Sequence, residues 1–227
     1  MVSVKPPKQL FETVYAFPPN RATLGGTAYF CGGQDDAGNT ANVLIDAPAN
    51  EPAVVDFLRD RGGVQYWVIT HRGASGEAKA LQAALNCPAV LVQEQEAYLL
   101  PDLPNLVTYR DRYPLPGGGE VFWTPGFSPG SACVYLPQQG GILFTGRHLL
   151  PNRDGQLQPL RFSKTFHWPR QLRQVQQLQD RFTAATLAYA CPAANTGFLR
   201  GQAIIKDAYS QLQALDSQQL LQTPALL

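Results

Sequence analysis

Apolar runs and helical periodicity alternate along the first half of the chain. Residues 42–46 and 64–69 are predicted as buried strands because each is a short apolar run. Val54, Val55 and Leu58 repeat at helical spacing between these runs, after an expected N-cap at Asn50. A second helix is predicted at 77–85, a helical turn at 93–99, and further strands at 11–17, 27–31 and 88–92.

The second half has shorter predicted strands, separated by glycine and proline. They lie at 120–123, 132–136 and 141–145, with a hairpin turn at 138–141 between the last two. Two amphipathic helices follow, and their apolar stripes are Leu172, Val175, Leu178 and Phe182, then Ile204, Ile205, Ala208, Leu212 and Leu215. The tail from 217 to 227 is expected to be frayed. This β-rich pattern, with helices after each half, predicts one α/β domain over 1–227 with an αββα four-layer arrangement.

Composition and charge narrow the classes of function. Hydrophobic residues make up 44% of the chain and charged residues 15%, which is typical of a globular protein. A net charge of +1 gives no broad field for nucleic acid or an acidic membrane. No apolar run is long enough for a membrane span, and residues 1–10 do not form a secretory signal, so a cytoplasmic location is expected. The four cysteines form no C-x-x-C pair and are expected to be buried free thiols.

Residues 70–76 read T-H-R-G-A-S-G and connect a predicted strand to a predicted helix. In α/β enzymes such a loop commonly carries catalytic groups or metal ligands. Four other segments come in a fixed order around it: L-I-D at 44–46, T-P-G-F-S-P-G-S at 124–131, L-F-T-G-R at 143–147, and P-A-A-N at 192–195. Together these segments resemble the ordered motifs of the metallo-β-lactamase fold superfamily, over roughly residues 15–200.

That resemblance implies a four-layer αββα sandwich and a metal site, but most ligand positions are changed. The family's motifs would place metal ligands at seven positions, which here are His71, Gly73, Ser75, Gly76, Phe127, Arg147 and Ala194. Only His71 could bind a metal, whereas zinc needs about three protein ligands even at an open catalytic site. The hydrolytic water of such enzymes depends on the metal. We therefore expect no metal and no other cofactor in this chain.

The loop also matches the start of a plant and cyanobacterial variant of the motif, T-H-R-D-D-V-x-D-H. In that register the aligned acid would be Glu77 and the final histidine would be Ala78, which still leaves too few ligands. Phe127 is expected to fill part of the vacated cavity. Arg147 is expected to form an internal salt bridge with Asp46 or Glu77, or to bind an anion together with Arg72. His148 is interpreted as a packed residue, and His167 as a helix cap or surface residue.

These observations predict a non-catalytic protein of this fold, acting as a binding or interaction module. The expected partner is another protein or a small anionic ligand near Arg147. The predicted ligand pocket comprises His71, Arg72, Asp46, Glu77, Arg147 and His148. The alternative is a metal-dependent hydrolase of esters or thioesters, similar to glyoxalase II, with a divergent site.

Overall fold

A computed structural model describes residues 5–226 of the chain, and two β-sheets lie face to face in it. The first sheet has seven strands: β1 (Lys8–Phe11), β2 (Val14–Ala16), β3 (Tyr29–Cys31), β4 (Val43–Ile45), β5 (Tyr66–Ile69), β6 (Ala89–Gln93) and β7 (Leu106–Tyr109). These strands are neighbours in chain order. Pairing is antiparallel from β1 to β4 and parallel from β4 to β7.

The second sheet has six strands. They are β8 (Arg112–Leu115), β9 (Gly119–Trp123), β10 (Ala132–Leu136), β11 (Ile142–Gly146), β14 (Tyr189–Pro192) and β15 (Ile205–Lys206), in the spatial order β15-β14-β11-β10-β9-β8. Only the β11–β14 pair is parallel. A separate two-stranded sheet joins β12 (Leu150–Pro151) to β13 (Leu157–Gln158).

Residues 5–226 contain five α-helices outside the two sheets. They are α1 (Pro52–Arg59), α2 (Ala78–Leu85), α3 (Trp168–Arg181), α4 (Ala208–Gln213) and α5 (Ser217–Leu221), of which α5 packs on α3. One apolar cluster lies between the first sheet and the α1 and α2 helices, and another lies between the second sheet and the α3 and α4 helices. A third cluster fills the space between the two sheets, where Tyr29 meets Phe144 edge to face with ring centroids 5.2 Å apart. This is the predicted αββα sandwich, so the predicted fold class is confirmed.

Two predictions about the C-terminal region are wrong. The apolar stripe from Ile204 does not form one helix, because Ile205 pairs with Ala190 as the short edge strand β15 and the helix begins at Ala208. The segment from Ser217, expected to be frayed, forms α5, since Asp216 caps it and Leu220 is buried against Trp168. Periodicity did not indicate these contacts because a two-residue strand and a one-turn helix are too short to show a period.

The starts of α1 and α3 and the environments of the four cysteines were also predicted from the sequence. Glu51 rather than Asn50 is the N-cap of α1, and its side chain makes no capping bond. His167 caps α3 as expected, because its Nδ1 accepts a hydrogen bond from the Arg170 amide. All four cysteines are free and buried, as predicted. Across residues 5–226, none of the helices has the length and apolar character that crossing a bilayer requires.

Candidate functional site

The motif segments meet at one end of the sandwich, where β5 and β11 end. The Ala132 amide of β10 donates to the Thr70 carbonyl at 2.8 Å, which fixes the second sheet against the loop after β5. The His167 amide donates to the Gly126 carbonyl at 2.9 Å, so the start of α3 is tied to the loop between β9 and β10. The sequence motifs therefore converge in space because backbone hydrogen bonds join their loops directly.

A buried chain of hydrogen bonds runs from Asp46 through Thr70 to His71. The Asp46 carboxylate accepts from the Thr70 amide at 2.9 Å and from the Thr70 hydroxyl at 2.8 Å. The Thr70 hydroxyl is 3.0 Å from Nδ1 of His71. When Asp46 is ionised, the hydroxyl donates to the carboxylate and accepts a hydrogen bond from the His71 Nδ1–H. The other ring nitrogen, Nε2, then carries a lone pair.

The surroundings of His71 keep its ring neutral. The residue is 2% exposed, and burial together with the nearby Arg147 and Arg72 cations lowers the pKa of His71 to about 3. Phe127 meets the His71 ring edge to face, with ring centroids 5.3 Å apart. Within residues 5–226, Nε2 of His71 has no hydrogen-bond partner. This nitrogen is therefore a buried acceptor whose partner the fold itself does not supply.

Arg147 does not form the predicted salt bridge. Its Nη2 donates to the carbonyls of Thr23 at 3.2 Å and Leu24 at 3.0 Å, and no carboxylate in residues 5–226 lies within ion-pair distance of it. Burial raises the pKa of Asp46 to about 7, and the Thr70 hydrogen bonds and the Arg147 cation only partly offset that rise. Arg147 thus acts on Asp46 through its field while its guanidinium fastens the loop of residues 20–26. Every residue has a backbone carbonyl, so the sequence does not indicate which carbonyls the Arg147 guanidinium contacts.

The predicted pocket needs correction at three positions. Asp46 is 3% exposed and bonded to Thr70 beneath the loop, and Glu77 is exposed at the start of α2. His148 is buried, its ring nitrogens have no partner within residues 5–226, and burial lowers the pKa of His148 to about 3. None of these three residues lines the cavity described next, whereas His71, Arg72 and Arg147 do.

A cavity of about 520 Å³ occupies the place where the metal site would be expected. Its wall has an apolar part, made by Leu24, Phe127, Phe162 and Leu226, and a polar part, made by His71, Arg72, Arg147, Ser163 and Lys164, with Gly73 beside His71. The wall thus contains three cationic side chains and no carboxylate. A second groove of about 720 Å³ runs along β9 and α3, but it contains Asp111 and none of the seven expected ligand positions.

The donor groups at the site do not fit a catalytic metal. Among residues 5–226 no cluster of three or more histidine, cysteine, aspartate or glutamate side chains is placed to hold an ion. Gly76 has φ +51°, and a Cβ there would lie 3.1 Å from the Ala47 Cβ, so the backbone itself resists a ligand side chain. Ser75 is half-buried, and Ala194 is buried without lining the cavity. With only His71 in reach, zinc would lack the ligands that it requires.

Five of the lining residues could not be identified from the motifs. They come from loops and from the C-terminal segment, outside every motif: Leu24, Phe162, Ser163, Lys164 and Leu226. The Leu226 amide donates to the Arg161 carbonyl, and the Ser163 amide donates to the Leu226 carbonyl, which brings the C-terminal segment to the cavity. Leu24 and Leu226 are 77% and 45% exposed, and the exposure of a leucine cannot be deduced from the sequence.

Comparison with known proteins supports the fold. The chain matches no family model. The hydroxyacylglutathione hydrolase of Ruegeria pomeroyi is 33% identical over 126 residues, which are 54% of this chain and 48% of that protein. The match therefore spans about half the length of that relative.

Among solved structures, similarity extends over nearly the whole chain. A metallo-β-lactamase from Erythrobacter litoralis is 14% identical with a TM-score of 0.63, covering 94% of this chain and 96% of that one. A metallo-β-lactamase of Pseudomonas aeruginosa in its mono-zinc form gives 14% identity and a TM-score of 0.50, covering 91% and 99%. A quorum-quenching N-acyl homoserine lactone hydrolase gives 16% identity and a TM-score of 0.52, covering 76% and 88%. At these identities the similarity establishes the architecture alone, and the chain has the metallo-β-lactamase fold.

Proposed function

We propose that this chain is a non-catalytic binding module that takes a small anionic ligand with an apolar body into the cavity beside Phe127. The observation that carries the proposal is the composition of the cavity wall, in which three cationic side chains and no carboxylate accompany a large apolar surface. An anion is favoured by the cations, and its apolar part by the aromatic and leucine side chains.

The cations of the wall differ in how far they are already engaged. Arg147 donates to two backbone carbonyls, whereas Arg72 and Lys164 have no side-chain hydrogen bond or ion pair within residues 5–226. Both are exposed at the mouth of the cavity. A carboxylate or phosphate of the ligand can therefore meet both cations at the mouth, although Arg72 also acts on buried Glu96, where it partly offsets the rise in the Glu96 pKa. The apolar part of the ligand then lies near Phe127 and Phe162.

Titration of the protein with decanoate and with the uncharged decanamide tests this proposal. We expect decanoate to bind more tightly, and Arg72→Ala and Lys164→Ala each to weaken it about two- to fivefold, the size of an exposed ion pair. Lys206→Ala, on the exposed edge strand β15, is the matched control and should leave affinity unchanged. Equal affinity for the acid and the amide, or no binding of decanoate, would overturn the proposal.

A metal-dependent hydrolase is the second candidate, and the match to hydroxyacylglutathione hydrolase favours it. That match covers about half of the relative, and the donor set around His71 speaks against it. Turnover of generic ester, thioester and lactam substrates with added zinc or iron is the test. Activity that His71→Ala abolishes would establish the hydrolase, and no turnover under any metal supports the binding module.

A further inference from the structure

Nε2 of His71 is a buried hydrogen-bond acceptor at the cavity, and the cations that would bind an anionic ligand are not its partners. His71 is 2% exposed and lines the cavity, and its Nε2 has no partner within residues 5–226. A buried polar atom without a hydrogen bond is costly, on the order of 1–3 kcal/mol, so native sites generally supply a partner for it. In this cavity the partner has to come from the bound molecule or from water.

The hydrogen-bond chain from Asp46 through Thr70 to His71 determines which kind of ligand group can bond to Nε2 of His71. When Asp46 is ionised, its carboxylate accepts a hydrogen bond from the Thr70 hydroxyl at 2.8 Å, and that hydroxyl accepts a hydrogen bond from the Nδ1–H of His71, 3.0 Å away. Nε2 is thereby held as an acceptor, and a ligand atom that meets it must donate a proton in a hydrogen bond. A bare carboxylate or an alkyl chain cannot do so.

The backbone beside the ring leaves room for the approach of such a group. Gly73 lines the cavity, and a Cβ built on it would lie 3.5 Å from both Nε2 and Cδ2 of His71. Gly73 does not have a positive φ, so an alanine there is free of backbone strain. Gly73 lies in the turn that the Ala74 amide closes on the His71 carbonyl, and its missing side chain leaves space next to the acceptor nitrogen.

From this geometry we infer that the ligand is a hydroxyl-bearing amphipathic carboxylate, whose hydroxyl donates to Nε2 of His71 while its carboxylate meets Arg72 and Lys164. The apolar remainder lies against Phe127, Phe162 and Leu226. This inference rests on the proposed function and narrows it, because it adds a donor to the anionic and apolar parts of the ligand. No covalent step is involved.

Paired titrations separate this inference from the proposed function. Decanoate, 2-hydroxydecanoate and 3-hydroxydecanoate have the same chain and charge, so any preference among them reports the hydroxyl. We expect at least one hydroxy acid to bind about tenfold more tightly than decanoate, the effect of one good hydrogen bond to a buried acceptor. If decanoate binds and neither hydroxy acid binds more tightly, the inference fails and the proposed function stands. If none of the three binds, the proposed function fails as well.

Two variants connect the preference to His71. Gly73→Ala should remove the tenfold preference, because its Cβ would occupy the space 3.5 Å from Nε2 that the hydroxyl needs. Gly197→Ala, where a Cβ meets nothing within 4 Å, is the matched control and should keep the preference. His71→Phe should remove the preference too, which keeps the test decisive if one variant folds poorly. A preference that survives both variants would overturn the assignment of the hydroxyl to His71.

The tautomer gives a readout that needs no ligand. In the free protein at about pH 8, where Asp46 is ionised, nitrogen-15 NMR of the imidazole rings should show Nδ1 of His71 protonated and Nε2 unprotonated, and a bound hydroxy acid should shift Nε2 in the direction of hydrogen-bond acceptance. Detection of a proton on Nε2 in the free protein would contradict the inference.

Discussion

Single residues determine that the expected metal site lacks its ligands. His71 keeps its ring and its support from Thr70, but Phe127 packs against that ring and Arg147 fastens a loop through the Thr23 and Leu24 carbonyls. Motif comparison predicted which donors are missing. It could not predict the partners of Arg147, because every residue has a backbone carbonyl and the sequence does not show which ones lie near the guanidinium.

Two buried histidines should make the protein sensitive to acid. Burial lowers the pKa of His71 and His148 to about 3 and raises the pKa of Asp46 to about 7. Between about pH 4.5 and 6 the unfolded chain therefore binds two more protons at the histidines, and the folded chain binds one more at Asp46. Among these three groups, the net excess of one proton in the unfolded state lowers the free energy of unfolding by about 1.4 kcal/mol for each unit of falling pH. Burial also raises the pKa of Glu96, which acts in the opposite direction and is the same in the wild type and in a His148 variant.

His148→Leu tests this balance, because it leaves one histidine against Asp46 and cancels the excess. We expect the variant to lose the slope of about 1.4 kcal/mol per pH unit relative to the wild type, measured by urea denaturation at pH 4.5, 5.2 and 6. Surface carboxylates contribute equally to both proteins and drop out of the comparison. The same slope in both proteins would show that His148 is not buried in its neutral form.

At the scale of secondary-structure elements, the start of α3 sets the shape of the site. The Phe166 and His167 amides donate to the carbonyls of Phe127 and Gly126 at 3.1 and 2.9 Å, which positions Phe127 over the cavity. The long amphipathic stripe of α3 was predictable from its period. Its contact with the loop was not, since the loop residues form no periodic pattern.

Gly126 is the point at which this docking should be most sensitive. It has φ +146°, and a Cβ there would lie 2.4 Å from the Cα and Cβ of Gln171. Gly126→Ala should therefore lower the free energy of unfolding by about 2–5 kcal/mol, from overpacking and backbone strain together. Gly197→Ala, which meets open space, should change it by less than about 0.5 kcal/mol in the same urea denaturation. A Gly126→Ala protein as stable as the control would mean that α3 does not pack on this loop.

The cavity is a property of the whole molecule. Its lining comes from the loop after β5, the loops that follow β9 and β11, the segment before α3 and the C-terminal residues, with Leu24 from the loop that Arg147 holds. The fold class could be predicted because strand and helix patterns extend over the chain and the motifs keep their order. The positions of Phe162, Lys164 and Leu226 could not be predicted, because they depend on loop hydrogen bonds and on the contact between Phe162 and Phe127.

The set of residues that line the cavity predicts how the stability of the protein responds to metals. A metal that binds the folded chain at one hundred times its Kd would stabilise it by about 2.7 kcal/mol, which raises the Tm of a chain of this size by about 5–10 °C. With His71 as the one potential donor on the cavity wall and Arg147 and Arg72 repelling cations beside it, we expect zinc, iron and manganese each to shift Tm by less than about 1 °C. Purified protein should carry no stoichiometric metal by elemental analysis, and chelation with EDTA should leave Tm unchanged. A stoichiometric metal that disappears in His71→Ala would contradict this expectation and would favour the hydrolase over the binding module, because it would require ligands beyond those that the folded chain brings to His71.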